Sequence, residues 1–489
     1  MSGKVVVIGS GFGGLSTAIL LGRLGFAVTV VEGNAHAGGV IRSYRREGVD
    51  CPVGIHYFGS AEPGQLLGDF LDLLEIRPEL KLRRMGKNGV IDRFIFEDDV
   101  FDLPDTCEKF EAALARRFPE APDAVAFVMH VCRSAIASLE TANRAFSPPA
   151  LPLTKTAAQL LAEMRLPKRL VDILALQGFL LGVNLSACPA SFLLMATASL
   201  LMSAWELGCT GADMVGLLLE RARDAGVELV VGDPVVSIEV QDQRATGIRL
   251  QSGAALAADL VVAAIHPKTL VGLVPGAALP AGYREGIAKL EETMGTLCMV
   301  ALLDQRLHPA QEHNLYRVVG DPSRSLEGVY GQFRPSGRPG LTRLTLLVES
   351  KYADWAAWHH TRTGKRGPAY VAEKERRARE GLAELAKSIG PIHDPKIIDV
   401  WTPLSMRDWV GAPQGSTYGV RHSIRDGLDY LVLSRPPLRG LFLVGQNAIA
   451  AGLLGISMGV LRVAGVIAGR QAMADLFARH CGPRRGNSP

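Results

Sequence analysis

This sequence has little charge of either sign in excess. Its 53 Lys and Arg against 49 Asp and Glu leave a formal net charge of +4, and there is no long basic arm. A field that weak gives no reason to expect a nucleic-acid partner. Cysteine is also sparse: seven in 489 residues, scattered, odd in number and without a CxxC pair. That argues against a disulfide framework and fits free thiols in a reducing, cytoplasmic setting. A metal centre is not expected either, because His359-His360 has no carboxylate or third ligand at metal spacing. The first apolar run, Lys4–Ile8, is too short for the core of a secretory leader. No charged residue occurs between Asp172 and Glu206, a length that invites a membrane-span reading. Asn184, Ser186, Pro189, Ser191 and Ser199 interrupt it, however. A buried helix pair around an apolar cavity fits it better, with peripheral membrane contact and a membrane-associated location as the alternative.

What the sequence does have is glycine, placed at turns. "KVVVIGSGFGGLSTAILLGRLGFAVTVVEG" reads as strand, turn, helix, strand. The β-branched run Lys4–Ile8 suits a strand buried on both faces. Gly9, Gly11 and Gly14 form GxGxxG within Gly9-Ser10-Gly11-Phe12-Gly13-Gly14, and Glu32 ends the next strand. Strand before, helix after and acid beyond are the context that a dinucleotide site requires. Gly9 permits the turn, Gly11 lets a pyrophosphate approach the backbone, and Gly14 allows close helix–strand packing. The helix N-terminus offers N–H groups to phosphate, and Glu32 offers acceptors to ribose. Beyond Glu32 come Gly38, Gly39, Val40 and Arg42, which a simple NAD domain does not need. FAD does need such a loop, to carry its ribityl and isoalloxazine half onward. Gly445-Gln446 and "GLLGISMG", with Leu454, Gly455 and Ile456, are positioned to hold that half. A helix N-terminus there stabilises the negative charge of reduced flavin. Ile55 and Val235 complete the expected FAD contacts. No Cys or His occupies an attachment position beside Gln446, so the FAD is expected to be non-covalent.

These motifs resemble those of the amine-oxidase-type flavoprotein superfamily. "GIHYFG", "WAAWHHTRTGKRGPAYVAEKE", "APQGSTYGVRH" and the "GQN" ending narrow the resemblance to its phytoene desaturase, carotenoid isomerase and retinol saturase branch. The resemblance is strongest at 3–60 and 350–465; residues 64–205 resemble the branch only in pattern. Two positions depart from it. Pro52 stands where the branch has Asp, with Asp50 nearby, and Gln446 stands where many members have Asp. The resemblance implies an α/β fold. A Rossmann-type, GR2-like FAD domain is expected from segments 1–80, 208–272 and 431–480. A helical region facing substrate or membrane (81–207) and an α+β substrate domain (273–430) are inserted, and a loose tail covers 481–489. A proline-rich joint is expected at 147–154 and a hairpin within "NGVIDRFIFEDDVFDLP".

The resemblance also places His56 and Tyr57 near the isoalloxazine, with Tyr418 and His422 as a second polar pair. These four are the candidate catalytic residues. Imidazole titrates near neutrality, so His56 is the expected proton handler and Tyr57 its packing partner; the bland alternative is a structural histidine bonded to backbone. The expected activity is reduction of a carbon–carbon double bond in a lipophilic polyene, with NAD(P)H or another reductant supplying electrons. Desaturation, cis–trans isomerisation and reductive cyclisation stay open on the same scaffold, as does a non-catalytic prenyl-lipid escort role. Amine oxidation ranks below these because no paired aromatics flank "TYG".

Overall fold

The computed structural model describes residues 3–145, 155–325, 327–422 and 433–481. The proline-rich joint at 147–154 and tail residues 482–489 lie outside them, as do residues 423–432 at the junction between the inserted domain and the last FAD segment. A five-stranded parallel sheet is ordered Glu228–Val231, Ala27–Glu32, Lys4–Ile8, Leu260–Ala263, Leu441–Leu443. Its central strand is buried from Val5 to Ile8, which is why that run is apolar without alternation. The chain leaves this strand to one side at Ala27 and returns on its other side at Leu260. The strand order therefore reverses at the carboxyl end of Lys4–Ile8, where open α/β sheets bind ligands. Gly9 stands at that point.

Helices Phe12–Arg23, Gly211–Asp224 and Gly452–Ala468 pack together beside this sheet in one apolar cluster. An antiparallel sheet, Val235–Gln241, Arg244–Leu250 and Ala255–Ala257, packs behind it. Helices Pro267–Leu273 and Ala281–Lys289 bury Leu270 and Ile287 against Ile8, Val261 and Leu441. The dinucleotide unit thus continues to about Leu290, past the boundary expected at residue 272.

A seven-stranded sheet forms the second unit, ordered Lys396–Trp401, Thr296–Asp304, Leu341–Glu349, Gly328–Pro335, Asn314–Val318, Asp92–Ile95, Val100–Leu103. The hairpin read within the helical region joins this sheet: Asp92–Ile95 pairs parallel with Asn314–Arg317. Residues 81–207 are therefore divided between sheet and helices, because an isolated two-stranded hairpin is marginal and finds edge pairing here. Helix Gly367–Ile389 covers one face through Leu382 and Leu385, against Leu315, Phe333, Leu344 and Leu346. The strand period of two sends the alternate residues to the opposite face. Those are Asp92, Asn314, Tyr316, Tyr330, Gln332, Arg334 and Arg343. The charge-free stretch begins within helix Lys168–Ala175 and continues as a 3₁₀ segment Leu176–Leu180 and helix Ala190–Met202, all contributing to one apolar core.

Candidate functional site

Three glycine loops converge at the end of the central strand. Gly9 has φ +96°, and its N–H donates to the Val31 carbonyl at 2.8 Å. A Cβ on Gly14 would lie 2.0 Å from the Gly9 oxygen, so only glycine closes this turn. A Cβ on Gly39 would lie 3.1 Å from the Gly11 Cα, and one on Gly13 would lie 2.9 Å from the Gly445 Cα. The Gly38 N–H donates to the Ser10 carbonyl at 3.1 Å. Around Gly11 itself no protein atom lies within 4 Å of a built Cβ. The loops therefore leave an opening beside Gly11, at the N-terminus of a helix, which fits a pyrophosphate.

Glu32 is buried next to this opening. Its Oε2 accepts from the Ser10 N–H (3.0 Å) and Oγ (2.5 Å), and its Oε1 accepts from the Asn34 N–H (2.9 Å) and Nδ2 (3.2 Å). The side-chain donors Ser10 Oγ and Asn34 Nδ2 can give way to ribose hydroxyls while the backbone donors stay. Arg42 donates to the carbonyls of His36 (3.3 Å) and Trp409 (3.0 Å), tying the glycine loop to the second unit. Val235 follows Pro234, which lies 3.4 Å from a Cβ built on Gly33, beside the ribose end. Phe12 packs edge-on against Phe70 at 5.9 Å, inside the helix layer.

Beyond the cradle a cavity of about 250 Å³ opens between the two units. Val40, Ile55, Gln446, Leu454, Gly455 and Ile456 line one end, with the first turn of the helix that starts at Gly452. This end fits the isoalloxazine. The Asn447 Oδ1 accepts from the Val420 N–H at 2.8 Å, holding the "TYG" segment against the same loop. Apolar side chains, Phe179, Leu180, Phe192 and Met195 among them, line the other end.

His56 and Tyr57 both line this cavity, but they do different things. The Tyr57 hydroxyl donates to the Asp92 Oδ2 at 2.9 Å and shares a 2.8 Å hydrogen bond with the Tyr316 hydroxyl. Asp92 is fully buried, and its Oδ1 accepts from the Asn314 Nδ2 at 2.8 Å. Burial raises the Asp92 carboxyl to about 7, and the hydrogen bonds from Asn314 and Tyr57 only partly oppose it. Burial also raises Tyr57, with the nearby Asp92 charge adding to it. His56 is lowered to about 4 by burial and by the Arg343 and Arg334 guanidiniums. Its Nδ1 has no hydrogen-bond partner. The expectation made His56 the proton handler and Tyr57 its packing partner; in the structure it is Tyr57 that holds side-chain hydrogen bonds at this wall. Burial and the two guanidiniums favour the neutral form of His56, and Tyr57 is the member of the pair hydrogen-bonded to a carboxylate.

Tyr418 lines the cavity, and its phenol is raised to about 12 by burial. His422 stands behind Phe192, ring centroids 5.4 Å apart. It borders a smaller pocket next door rather than the main cavity, and burial lowers it to about 4. The structure adds Asp92, Asn314, Tyr316 and Tyr330 to the site. Tyr330 stacks at 6.4 Å on Tyr57 and meets Tyr316 edge-on at 5.0 Å. Four tyrosines thus gather at one cavity, although none flanks "TYG" in sequence. A signal for Asp92 was present in "VIDRFIF": a carboxylate on the same strand face as Phe94 and Phe96.

Fold and cradle together define an FAD-dependent oxidoreductase with an apolar substrate cavity. The chain belongs to the flavin containing amine oxidoreductase family, which it matches over residues 12–459. It is 23% identical to the all-trans-retinol 13,14-reductase of Macaca fascicularis, over 96% of this chain and 86% of that one. It is also 23% identical to the 4,4'-diapolycopene oxygenase of a Methylomonas species, over 97% of this chain and 98% of that one. Among solved structures, an oxidoreductase from Methanosarcina mazei superposes with a TM-score of 0.65 at 18% identity, over 94% of this chain and 99% of that one.

Proposed function

We propose that this enzyme reduces a carbon–carbon double bond of a lipophilic polyene and that Tyr57 delivers the proton. The observation that carries this reading is the buried Tyr57–Asp92 hydrogen bond at the wall of an apolar cavity. When bound, FAD supplies hydride chemistry for one carbon of the double bond, with NAD(P)H or another two-electron donor as the source of its electrons. The second carbon needs a proton. Tyr57 stands at the cavity wall; burial keeps its phenol protonated in the resting site, and it gives the proton up only to a strongly basic carbon. A protonated Asp92, favoured by its burial, then returns a proton to the phenolate. Tyr316 donates to the same oxygen while the charge is present. The apolar wall binds the polyene and keeps water from competing for the proton. The activities of the two relatives, on retinol and on diapolycopene, are consistent with a substrate of this class.

Helix Pro122–Ala142 is long and apolar enough to cross a membrane, with 33% of its most apolar window buried. We assign it to peripheral membrane contact, which would give the cavity access to lipid-dissolved polyenes.

The test is anaerobic. The bound flavin is reduced, mixed with all-trans-retinol or a carotene, and followed by absorbance. Flavin reoxidation together with loss of polyene absorbance supports the reading. Flavin that stays reduced with each polyene while a primary amine reaction proceeds with oxidised enzyme would overturn it.

A further inference from the structure

A second cavity, of about 630 Å³, abuts the first and has the opposite character. The two share Ile41, Val53, Ile55 and His56 as lining, and His56 is the polar member of that wall. Five arginines and three carboxylates line the second cavity, so positive charge is in excess. The pairing within it is uneven. Glu206 serves two arginines, Arg334 at 2.6 Å and Arg83 at 3.1 Å. Arg334 is further used by the carbonyls of Gln311, His313 and Phe333 and by the Asn314 Oδ1. Asp213 caps a helix through Thr210. Arg343 is left under-paired. Its Nη1 donates to the Asp50 carbonyl at 3.0 Å, but the Asp50 carboxylate lies 3.9 Å away and accepts from Ser43 instead. Its buried Nε has no partner. A desolvated guanidinium with spare donors is costly unless an anion completes it.

We propose that this cavity is an anion subsite anchored by Arg343, and that it takes the carboxylate of a polyene acid whose hydrocarbon chain lies in the apolar cavity beyond His56. The proposal rests on the polyene reading above and narrows it to amphiphiles with an acidic end. One molecule with a long apolar body and one carboxylate matches both cavities at once. A planar guanidinium is the donor best shaped for a carboxylate, and the neighbouring arginines supply the field that draws it in.

The experiment is an equilibrium titration of the FAD-loaded enzyme with all-trans-retinoic acid and, in parallel, all-trans-retinol, read by ligand absorbance and protein fluorescence. The expected result is acid bound at least about 10-fold more tightly than alcohol, the size of one lost charge-assisted hydrogen bond. Arg343→Met should bring the acid-to-alcohol ratio to near one, and Arg343→Lys should keep most of the preference. If Arg343→Met fails to retain FAD, Arg343→Gln takes its place with the same expectation. Equal wild-type binding of acid and alcohol overturns the anion subsite and leaves the polyene reading standing. A preference that survives loss of the charge also overturns it. No binding of either molecule overturns both readings.

Discussion

The Tyr57 hydroxyl reaches the buried carboxylate of Asp92 at 2.9 Å, joining the loop after the flavin-binding glycines to the rim of the substrate sheet. This bond ties the dinucleotide unit to the second unit at the cavity wall. It also pairs a phenol raised well above 10 with a carboxyl raised to about 7.

Tyr57→Phe removes the proton and one of the bonds to Asp92. Flavin content should stay normal, because the FAD cradle lies elsewhere. Single-turnover oxidation of the reduced flavin by polyene should slow by roughly 10²–10⁴-fold, the usual contribution of a general acid. A near-normal rate would remove Tyr57 from the proton role.

Asp92 should shape the pH dependence of both rate and stability. Its folded pKa, about 7, lies above the ordinary value of 3.8. Between those values the folded chain holds more protons than the unfolded one, so the Asp92 contribution to stability falls as pH rises through that window and is lost above about pH 7. Turnover that depends on protonated Asp92 should likewise decline as pH rises through about 7. Asp92→Asn should flatten both profiles in that range. A wild-type melting temperature without this downward contribution, measured against the Asn variant, would contradict the assignment.

Gly11 and Gly13 should fail in different ways. Gly11 has φ −65° and ψ 177°, which alanine also adopts, and its Cβ would meet no protein atom within 4 Å. Gly11→Ala should leave the melting temperature of the apoprotein unchanged while abolishing FAD binding, because the methyl fills the pyrophosphate space. The Cβ of Gly13→Ala would lie 2.9 Å from the Gly445 Cα. That variant should lower the melting temperature of the apoprotein itself. Calorimetry with and without FAD separates the two.

Glu32→Ala should weaken FAD by about 10- to 150-fold, the equivalent of about 1.5–3 kcal/mol for bonds to a charged acceptor. It also strands the Ser10 and Asn34 N–H groups that Glu32 now satisfies. A flavin titration indistinguishable from wild type would rule out the ribose role.

The FAD should be releasable. Acid precipitation is expected to leave the yellow colour in solution, because Asn447 and Ala448, beside Gln446, offer no attachment chemistry. Colour retained in the washed pellet would show a covalent link.

The sequence by itself determined the dinucleotide half of this protein. Gly9, Gly11, Gly14 and Glu32 lie within one βαβ unit, and their roles follow from local backbone demands that no distant residue can change. A hairpin was also legible within 88–104, where the structure pairs Asp92–Ile95 with Val100–Leu103. Which sheet that hairpin joins was decided only by tertiary pairing, since strand edges carry no address in their own sequence. The same holds for the site. "GIHY" singled out His56 and Tyr57, and pKa values of free side chains favoured the histidine. Folding changed the surroundings of both. It buried His56 near two arginines, which disfavours its charged form, and it set Tyr57 against Asp92, thirty-five residues away, and Tyr316, which is remote in sequence. Burial and charge at a point are sums over everything packed around it, so the surroundings of His56 and Tyr57 are set only in the assembled chain.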